Sequence, residues 1–169
     1  MRKGQIMSTD YIIGVTLFII VLATSTYIWN NTLYRSQKDY IEMEMMNMAK
    51  RTSDQLVRSP GIPETWESNI SSLQAVGLKV KDGVISETKL DELEAMDYDD
   101  LRGYLGVGSY NVYVKVSTSS GAIFGEAGTT PTGEIVVNFQ RLAIMNEEQV
   151  LIDVSISSEG VVNLIPPIL

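Results

Sequence analysis

The feature that most constrains the fold of this chain is an uncharged, apolar run near its N-terminus. Tyr11–Tyr34 is a stretch of 24 residues without a charged side chain, and its most apolar part is Tyr11–Trp29. A helix rises 1.5 Å per residue, so about 20 residues cross a hydrocarbon layer about 30 Å thick. Tyr27, Trp29 and Tyr34 lie at the far end, where aromatic side chains favour the headgroup region. The run therefore predicts one transmembrane helix.

A buried helix in a soluble core and a secretory signal peptide are the alternative interpretations of this run. The apolar region of a signal peptide usually has about 7–15 residues and ends at a small-residue cleavage site. This run is longer, and YIWN at positions 27–30 is a poor cleavage site. Arg2 and Lys3 favour an N-terminus that stays inside the cell, although Arg35 and Lys38 nearly balance the charge rule.

The composition argues against most catalytic and nucleic-acid-binding functions. The chain contains no cysteine and no histidine. It therefore lacks thiolate nucleophiles, disulfides, the commonest general base and the commonest transition-metal ligand. Beyond position 34 there are 11 basic and 20 acidic residues, and this net charge of −9 repels nucleic acid. We expect no enzymatic activity, no cofactor, no metal site and no nucleic-acid partner.

A short basic motif directly precedes the apolar run. The sequence Arg2-Lys3-Gly4-Gln5 resembles the class III signal peptide of archaeal type IV pilin-like proteins. In that family a short basic leader ends in Gly and the mature chain begins with Gln. The resemblance implies that a prepilin peptidase recognises Lys3, Gly4 and Gln5 and cuts after Gly4, so that the helix stays on the mature chain. The alternative is the ordinary start of a signal anchor.

The acidic residue of this region departs from the family pattern. Pilin-like proteins usually carry Glu at the fifth mature position, where it helps to align subunits in a filament. Here that position is Thr9 and the acid is Asp10. A shift of one residue along a helix turns the side-chain direction by about 100° around the axis. The plainer interpretation of Asp10 is an acid in the first helical turn, near Ser8, that stabilises the helix N-terminus.

The resemblance continues into the C-terminal part of the chain, in scattered positions over about two thirds of its length. A G-x-P-x-x-W element at positions 61–66 is followed by a recurring order of residues. These are Val76-Gly77-Leu78, Ser86-Glu87-Thr88-Lys89-Leu90, Tyr98, Leu101, Leu105-Gly106 and Tyr110-Asn111-Val112-Tyr113. It implies the long helical spine and small head of pilin-like subunits.

The residues after the apolar run predict that the helix continues. No Gly or Pro occurs between Leu17 and Ser59, so we expect one helix from about Ser8 to Val57. Its second half is amphipathic, with a methionine-rich face at positions 43, 45, 46 and 48. That face suits either a partner surface or packing on the protein's own sheet. We favour its own sheet, because the head needs one covered sheet face.

Two short helices and several strands follow. Ser86 predicts the start of one helix, and Asp97 the start of another that ends at Gly106. Trp66 predicts a core anchor rather than a ligand-stacking site. Alternation of apolar residues predicts strands at 110–116, 135–144 and 150–156. A change of phase near Gln140-Arg141 predicts a bulge, positions 146–148 a hairpin, and Ser117–Gly133 a surface loop.

These patterns predict an α+β fold, in which a long N-terminal helix packs on a small antiparallel sheet with short helices. We assign residues 1–4 to a leader, 5–58 to the helix (transmembrane at about 11–29) and 59–169 to a head outside the cell. Asn69 and Asn30 each begin an N-glycosylation triplet. The apolar end, residues 161–169, suits an edge strand or docking on a neighbouring subunit.

Three functions fit these expectations. The favoured one is a structural subunit, major or minor, of an archaeal surface filament, whose partners are the membrane, the prepilin peptidase and other pilin-like subunits. The second is a monomeric, membrane-tethered surface protein that never polymerises, and the position of Asp10 speaks for it. The third and least favoured is an extracytoplasmic enzyme, since the sequence shows no nucleophile–base pair.

Overall fold

The computed structural model describes residues 4–158, with side chains from Thr9 onward. Its helices are α1 (Gly4–Arg58), α2 (Glu87–Glu94) and α3 (Tyr98–Leu105). Its strands are β1 (Lys79–Lys81), β2 (Val84–Ile85), β3 (Asn111–Thr118), β4 (Ile123–Gly128), β5 (Ile135–Met145) and β6 (Glu148–Ser158). The chain divides into two compact units, the first ending at Ile41 and the second, the head, beginning at Glu42.

The first unit contains only the N-terminal part of α1. Every described side chain from Thr9 to Ser36 is exposed. The helix is continuous to Arg58, as the absence of Gly and Pro predicts, and ends where Ser59-Pro60-Gly61 begins. Its start at Gly4 is earlier than the predicted Ser8.

The head is built around the last part of α1, which packs on a six-stranded sheet in the order β1-β2-β5-β6-β3-β4. All neighbours are antiparallel except β2 and β5. One sheet face is buried and carries Val112, Val114 and Val116 of β3 opposite Ile156, Val154 and Ile152 of β6. The α1 residues Met45, Ala49 and Leu56 are fully buried. The predicted α+β fold, with a helix on a largely antiparallel sheet, is confirmed.

The turns and caps follow the local sequence. Ser86 Oγ accepts from the Lys89 amide at 3.4 Å, and Asp97 Oδ1 accepts from the Asp99 amide at 2.9 Å, so both predicted helix starts are confirmed. Gly106 ends α3 in the left-handed conformation. The hairpin between β5 and β6 is confirmed, and its two turn residues, Asn146 and Glu147, have φ of 51° and 68°. Positive φ at both centres is typical of a type I′ turn.

The predicted bulge near Gln140-Arg141 is wrong. The register between β5 and β6 is unbroken from Ile135 to Met145. Arg141 takes an inward position because Asp54 of α1 neutralises it, with Nη2 at 2.8 Å from Oδ1 and Nε donating to the same oxygen at 3.0 Å. Leu142 and its neighbour Ile144 then fall on the outer face, where Leu142 is 62% exposed. Because these apolar side chains lie on the outer face, the apolar alternation in the sequence changes phase although the strand has no bulge.

The prediction of a simple loop at Ser117–Gly133 is also wrong, because the segment contains β4. This edge strand pairs with β3 and has a register shift near Val116/Ser117. Only Gly125 and Ala127 of β4 are buried, and Leu90 of α2 lies close to Gly125. A strand that buries two such small residues gives no apolar alternation in the sequence.

Substitution of Gly77 tests how closely the backbone packs in the head. A Cβ at Gly77 would overlap the Ser59 carbonyl oxygen and lie 2.6 Å from the Gly61 nitrogen. We expect Gly77→Ala to destabilise the protein by about 3 kcal/mol. For a chain of this size the Tm then falls by about 6–12 °C. The measurement is thermal unfolding of the full chain in detergent, followed by circular dichroism.

Gly103→Ala is the matched control. Gly103 lies inside α3 with nothing within 4 Å of an added Cβ. An Ala there improves helix propensity and should stabilise by about 0.5–1 kcal/mol. Equal Tm values for the two variants would contradict the close approach at Gly77.

Candidate functional site

The largest unusual surface of the described chain is the apolar N-terminal part of α1. Its large side chains are exposed along the whole length, with Tyr11 at 73%, Phe18 at 66% and Trp29 at 68%. The most apolar 18-residue window has none of its residues buried. By length and composition this helix can cross a membrane, a test that a membrane anchor and a signal sequence both pass. An apolar surface of this size needs lipid or protein to cover it.

Four threonine hydroxyl groups within this surface are satisfied inside the helix. Thr16, Thr24, Thr26 and Thr32 each donate to the carbonyl oxygen four residues earlier, at 2.8–2.9 Å. A polar group without a partner costs several kcal/mol in a hydrocarbon environment. The threonines therefore do not prevent the helix from entering lipid or an apolar bundle of helices.

The N-terminal residues of α1 are those that the leader resemblance identifies. Gly4 and Gln5 lie within the helix, although their side chains, like Lys3 as a whole, are outside the described part of the chain. Asp10 is exposed and does not lie in the first turn, which contains no acid. The interpretation of Asp10 as a first-turn acid is therefore wrong, because α1 begins at Gly4 and places Asp10 six residues further along.

The methionine-rich face of α1 divides into two parts. Met45 and Met48 are buried in the head, with 0% and 9% exposure, so they pack as we favoured. Met43 and Met46 are 59% and 42% exposed and point away from that core. Four methionines in six positions cannot share one helix face, since successive residues are rotated by about 100°.

The G-x-P-x-x-W element, at positions 61–66, packs closely against residues 75–77. Trp66 is fully buried, and its Nε1 donates to the Gly77 carbonyl at 2.9 Å. Gly61, at φ +90°, lies against the Trp66 ring so closely that any Cβ would overlap it. The Ile62 amide donates to Ala75 at 2.8 Å. The prediction of Trp66 as a core anchor is confirmed. Gly61 and Gly77 both lie too close to neighbouring atoms to carry a Cβ.

A buried lysine holds the same segment from the other side. Lys89 of α2 is 4% exposed, and its Nζ donates to the carbonyl oxygens of Pro60 and Glu64, each at 2.7 Å. Glu67 Oε2 lies 3.9 Å from that nitrogen. The carbonyls and the nearby carboxylate replace the water that a buried ammonium loses. No sequence signal indicates this role, because an isolated Lys in a short amphipathic helix is normally solvated.

Tyr98, a residue of the pilin-like pattern, links α3 to the sheet. The hydroxyl of Tyr98 donates to Asn111 Oδ1 at 3.0 Å and accepts from the Val112 amide at 3.3 Å. The scattered residues of the pattern are thus neighbours in the fold. The hydrogen bonds of Trp66, Lys89 and Tyr98 brace the head.

The outer sheet face carries a row of polar residues across four strands. Gln140, Asp153, Lys115 and Glu126 stand directly opposite one another in neighbouring strands. Burial and a hydrogen bond to Glu126 raise the pKa of Tyr113 to about 12. This hydroxyl therefore stays protonated at physiological pH and is a poor general base.

Two cavities of the head are open depressions. One of about 480 Å³ is lined by Asp99, Arg102 and three glycines, and one of about 440 Å³ by Val57, Arg58, Lys79, Asp82 and Gly83. Among the described residues no group of three His, Cys, Asp or Glu side chains is placed to hold a metal ion. The absence of enzymatic activity stays a prediction.

The two glycosylation triplets have different backbone conformations. Asn69 is exposed between two short 3-10 turns, Trp66–Ser68 and Ile70–Ser72. Asn30 lies inside α1, and the hydroxyl of Thr32 is bonded to the Ile28 carbonyl at 2.9 Å. Modification at Asn30 requires the helix to unwind, whereas Asn69 needs only a loop to adjust.

The chain matches no protein-family model, no curated protein and no solved structure. A long N-terminal helix whose last part packs on a largely antiparallel sheet is a pilin-like architecture.

Glycan mapping distinguishes the two asparagines. In protein isolated from its native cells we expect Asn69→Gln to remove one glycan from the intact mass, and Asn30→Gln to leave the mass otherwise unchanged. Intact-mass spectrometry measures both variants. Loss of a glycan in the Asn30 variant alone would contradict the argument from helix geometry.

Removal of the buried ammonium should loosen the segment that it holds. We expect Lys89→Met to cost about 3 kcal/mol, because the Pro60 and Glu64 carbonyls lose their donor while buried. Lys81→Met, at an exposed position, should change stability by less than about 0.5 kcal/mol. Urea unfolding of the full chain in detergent, followed by near-ultraviolet circular dichroism, compares them. Equal midpoints would show that the carbonyls find other donors.

Proposed function

We propose that this chain is a structural subunit of an archaeal cell-surface filament or a related envelope assembly. The single observation that carries the proposal is the division of α1. Its N-terminal part is an exposed apolar surface, and its C-terminal part, with Met45, Ala49 and Leu56, is the buried centre of the head. The leader resemblance at Lys3, Gly4 and Gln5 supports the same function.

The apolar surface supplies the physical mechanism. Before assembly it is covered by lipid, with the N-terminus in the cytoplasm and the head outside. During assembly the same surface exchanges lipid for the apolar helices of like subunits. Helix association in such a setting depends on close packing and satisfied hydroxyls rather than on exclusion of water. The internally bonded threonines at positions 16, 24, 26 and 32 suit both environments.

The prepilin peptidase acts before assembly in this proposal. A cut after Gly4 removes the positive charges of Arg2 and Lys3 and leaves the mature chain to begin in α1. An N-terminus without these two side chains enters an apolar bundle at a lower desolvation cost.

A monomeric membrane-tethered protein is the second candidate. The observation that favours it is Asp10, which lies one position after the acid of the family pattern and so on a different side of the helix. If alignment of subunits needs the family position, the chain would be processed and remain in the membrane.

The mature N-terminus and the distribution after shearing test these functions. We expect mass spectrometry to show a chain that begins at Gln5, and shearing of cells to release it with filaments. Gly4→Leu should block the cut and keep the protein in the membrane. Gly14→Ala is the matched control, because Gly14 lies in the same helix with open space around it.

An intact N-terminus from Met1 would contradict the filament function. A chain cut after Gly4 that stays wholly in the membrane would support the tether. A chain that begins after Trp29 would identify the apolar run as a removed signal peptide.

A further inference from the structure

β5 is a strand of 11 residues of which one edge is only partly paired. On one side its register with β6 is unbroken over Ile135–Met145. On the other side the described part of the chain offers only β2, which pairs at one position, Val84 with Ile144. The stretch 136–142 of β5 therefore has an edge about 20 Å long without a partner strand among the described residues. We call this stretch the open edge of β5.

One hydrogen bond fixes the direction of the backbone groups on this edge. The Ile144 amide donates to the Gly83 carbonyl, in the turn between β1 and β2, at 2.8 Å. Along a strand every second residue directs its amide and carbonyl to the same side. The residues of the open edge that share the direction of Ile144 are Val136, Asn138, Gln140 and Leu142. Among the described residues no backbone group bonds to them on this side.

The two outermost strands of the sheet carry features that discourage further pairing, and the open edge of β5 does not. β1 has three residues, two of which are lysines. β4 contains Gly125 and pairs with β3 in an irregular register. Short, lysine-bearing or irregular strands are common protections of sheet edges. β5 is long and regular and contains neither proline nor lysine, so its open edge attracts another extended segment.

The sequence that follows β6 has the composition of such a segment. β6 ends at Ser158, which pairs with Ile135 at the start of the open edge. Residues 159–169 lie outside the described part of the chain. They carry one charge, at the first position, and then read GVVNLIPPIL. Proline has no amide to donate, so Val162–Ile165 is the part before the prolines that can form a strand.

We propose that residues 162–165 of the same chain add a strand to the open edge of β5, parallel to it. The direction follows from the topology, because β6 and β5 are antiparallel. A segment that turns back from the end of β6 therefore runs in the direction of β5. Since β2 also pairs with β5 in parallel, the added strand lies in line with β2.

The length of the segment fits the space beside β5. From Ser158 the chain must cross two strand spacings, about 10 Å, and the four steps to Val162 reach about 13 Å. Val162 then lies beside Val137. At the rise of a strand the two prolines reach the level of Leu142 and end the added strand before β2 begins to pair.

The alternation of side chains agrees with this placement. Neighbouring residues in parallel strands point to the same face of the sheet. Leu164 thus shares the inner face with Phe139, which is half-buried, and with Val137, which is 5% exposed. Asn163 shares the outer face with Asn138, which is exposed. A shift by one residue would turn Asn163 inward and Leu164 outward, so the apolar core selects the register.

The covalent connection favours this occupant over a second copy of the chain. A short connection holds the segment near the edge at an effective concentration of about 1 mM or more. A second copy could supply the same strand only by displacing the first, as in the exchange of identical elements between subunits. The added strand does not depend on the proposed function. It closes the open edge and keeps folded heads from pairing edge to edge.

The absence of cysteine allows a direct test by cross-linking. Asn163→Cys is combined with Asn138→Cys in the full chain in detergent, and the protein is oxidised. Parallel neighbours have Cα atoms about 5 Å apart, which suits a disulfide. We expect a monomer without free thiols, measured by intact mass after alkylation. In the matched control, Asn163→Cys with Glu126→Cys on the outer face of β4, both thiols should stay free.

Other products of the oxidation identify other arrangements. Disulfide-linked dimers of the first variant would show that the added strand comes from a second copy. A disulfide in the control that contains Glu126→Cys would place the segment at the edge of β4. Either result, or free thiols in both variants with the head folded, would overturn the proposal.

Amide hydrogen exchange is an independent measurement of the same hydrogen bonds. The amides of Asn138 and Gln140 should exchange slowly in the unaltered chain, because they donate to carbonyls of the added strand. Leu164→Pro should speed both about tenfold or more, whereas Ile168→Pro, beyond the paired part, should change neither. The Val154 amide, in the middle of the sheet, reports that the head stays folded. Fast exchange at both β5 amides in the unaltered chain would contradict the added strand.

Discussion

The burial of α1 against the sheet is the interaction on which the rest of the structure depends. Met45, Ala49 and Leu56 fill the centre of the head, and the valines and isoleucines of β3 and β6 form the facing layer. The head has no disulfide to assist this core. Its stability therefore comes from the helix that also carries the exposed apolar surface, and the two functions of α1 cannot be separated by simple truncation.

The close packing of residues 61–66 against residues 75–77 supports that arrangement. Trp66, Gly77 and Lys89 bring the segment after α1 back along the helix end, where the Leu78 amide donates to the Leu56 carbonyl at 2.9 Å. An indole donor and an ammonium both bond to backbone carbonyls there. These contacts fix the path of the chain without a regular helix or strand. The residues of the pilin-like pattern are therefore scattered along the sequence.

Local sequence predicted the elements whose signals are local. The long helix, the caps at Ser86 and Asp97, the left-handed Gly106 and the last hairpin each depend on a few neighbouring residues. The two errors in the sheet concern residues whose position depends on distant partners. Arg141 faces inward only because Asp54 is there, and β4 is a strand only because β3 offers an edge to it.

The sequence by itself determined that one end of the chain is a helix long and apolar enough to cross a membrane, and that the rest is an acidic α+β head. Chain length, absence of charge and periodicity suffice for both, since they act through lipid and water rather than through particular contacts. Only the tertiary structure decided which methionines are buried and which are exposed. It also decided that Lys89 is an internal brace. The reason is that a side chain on α1 becomes buried or exposed only when the sheet covers one side of the helix.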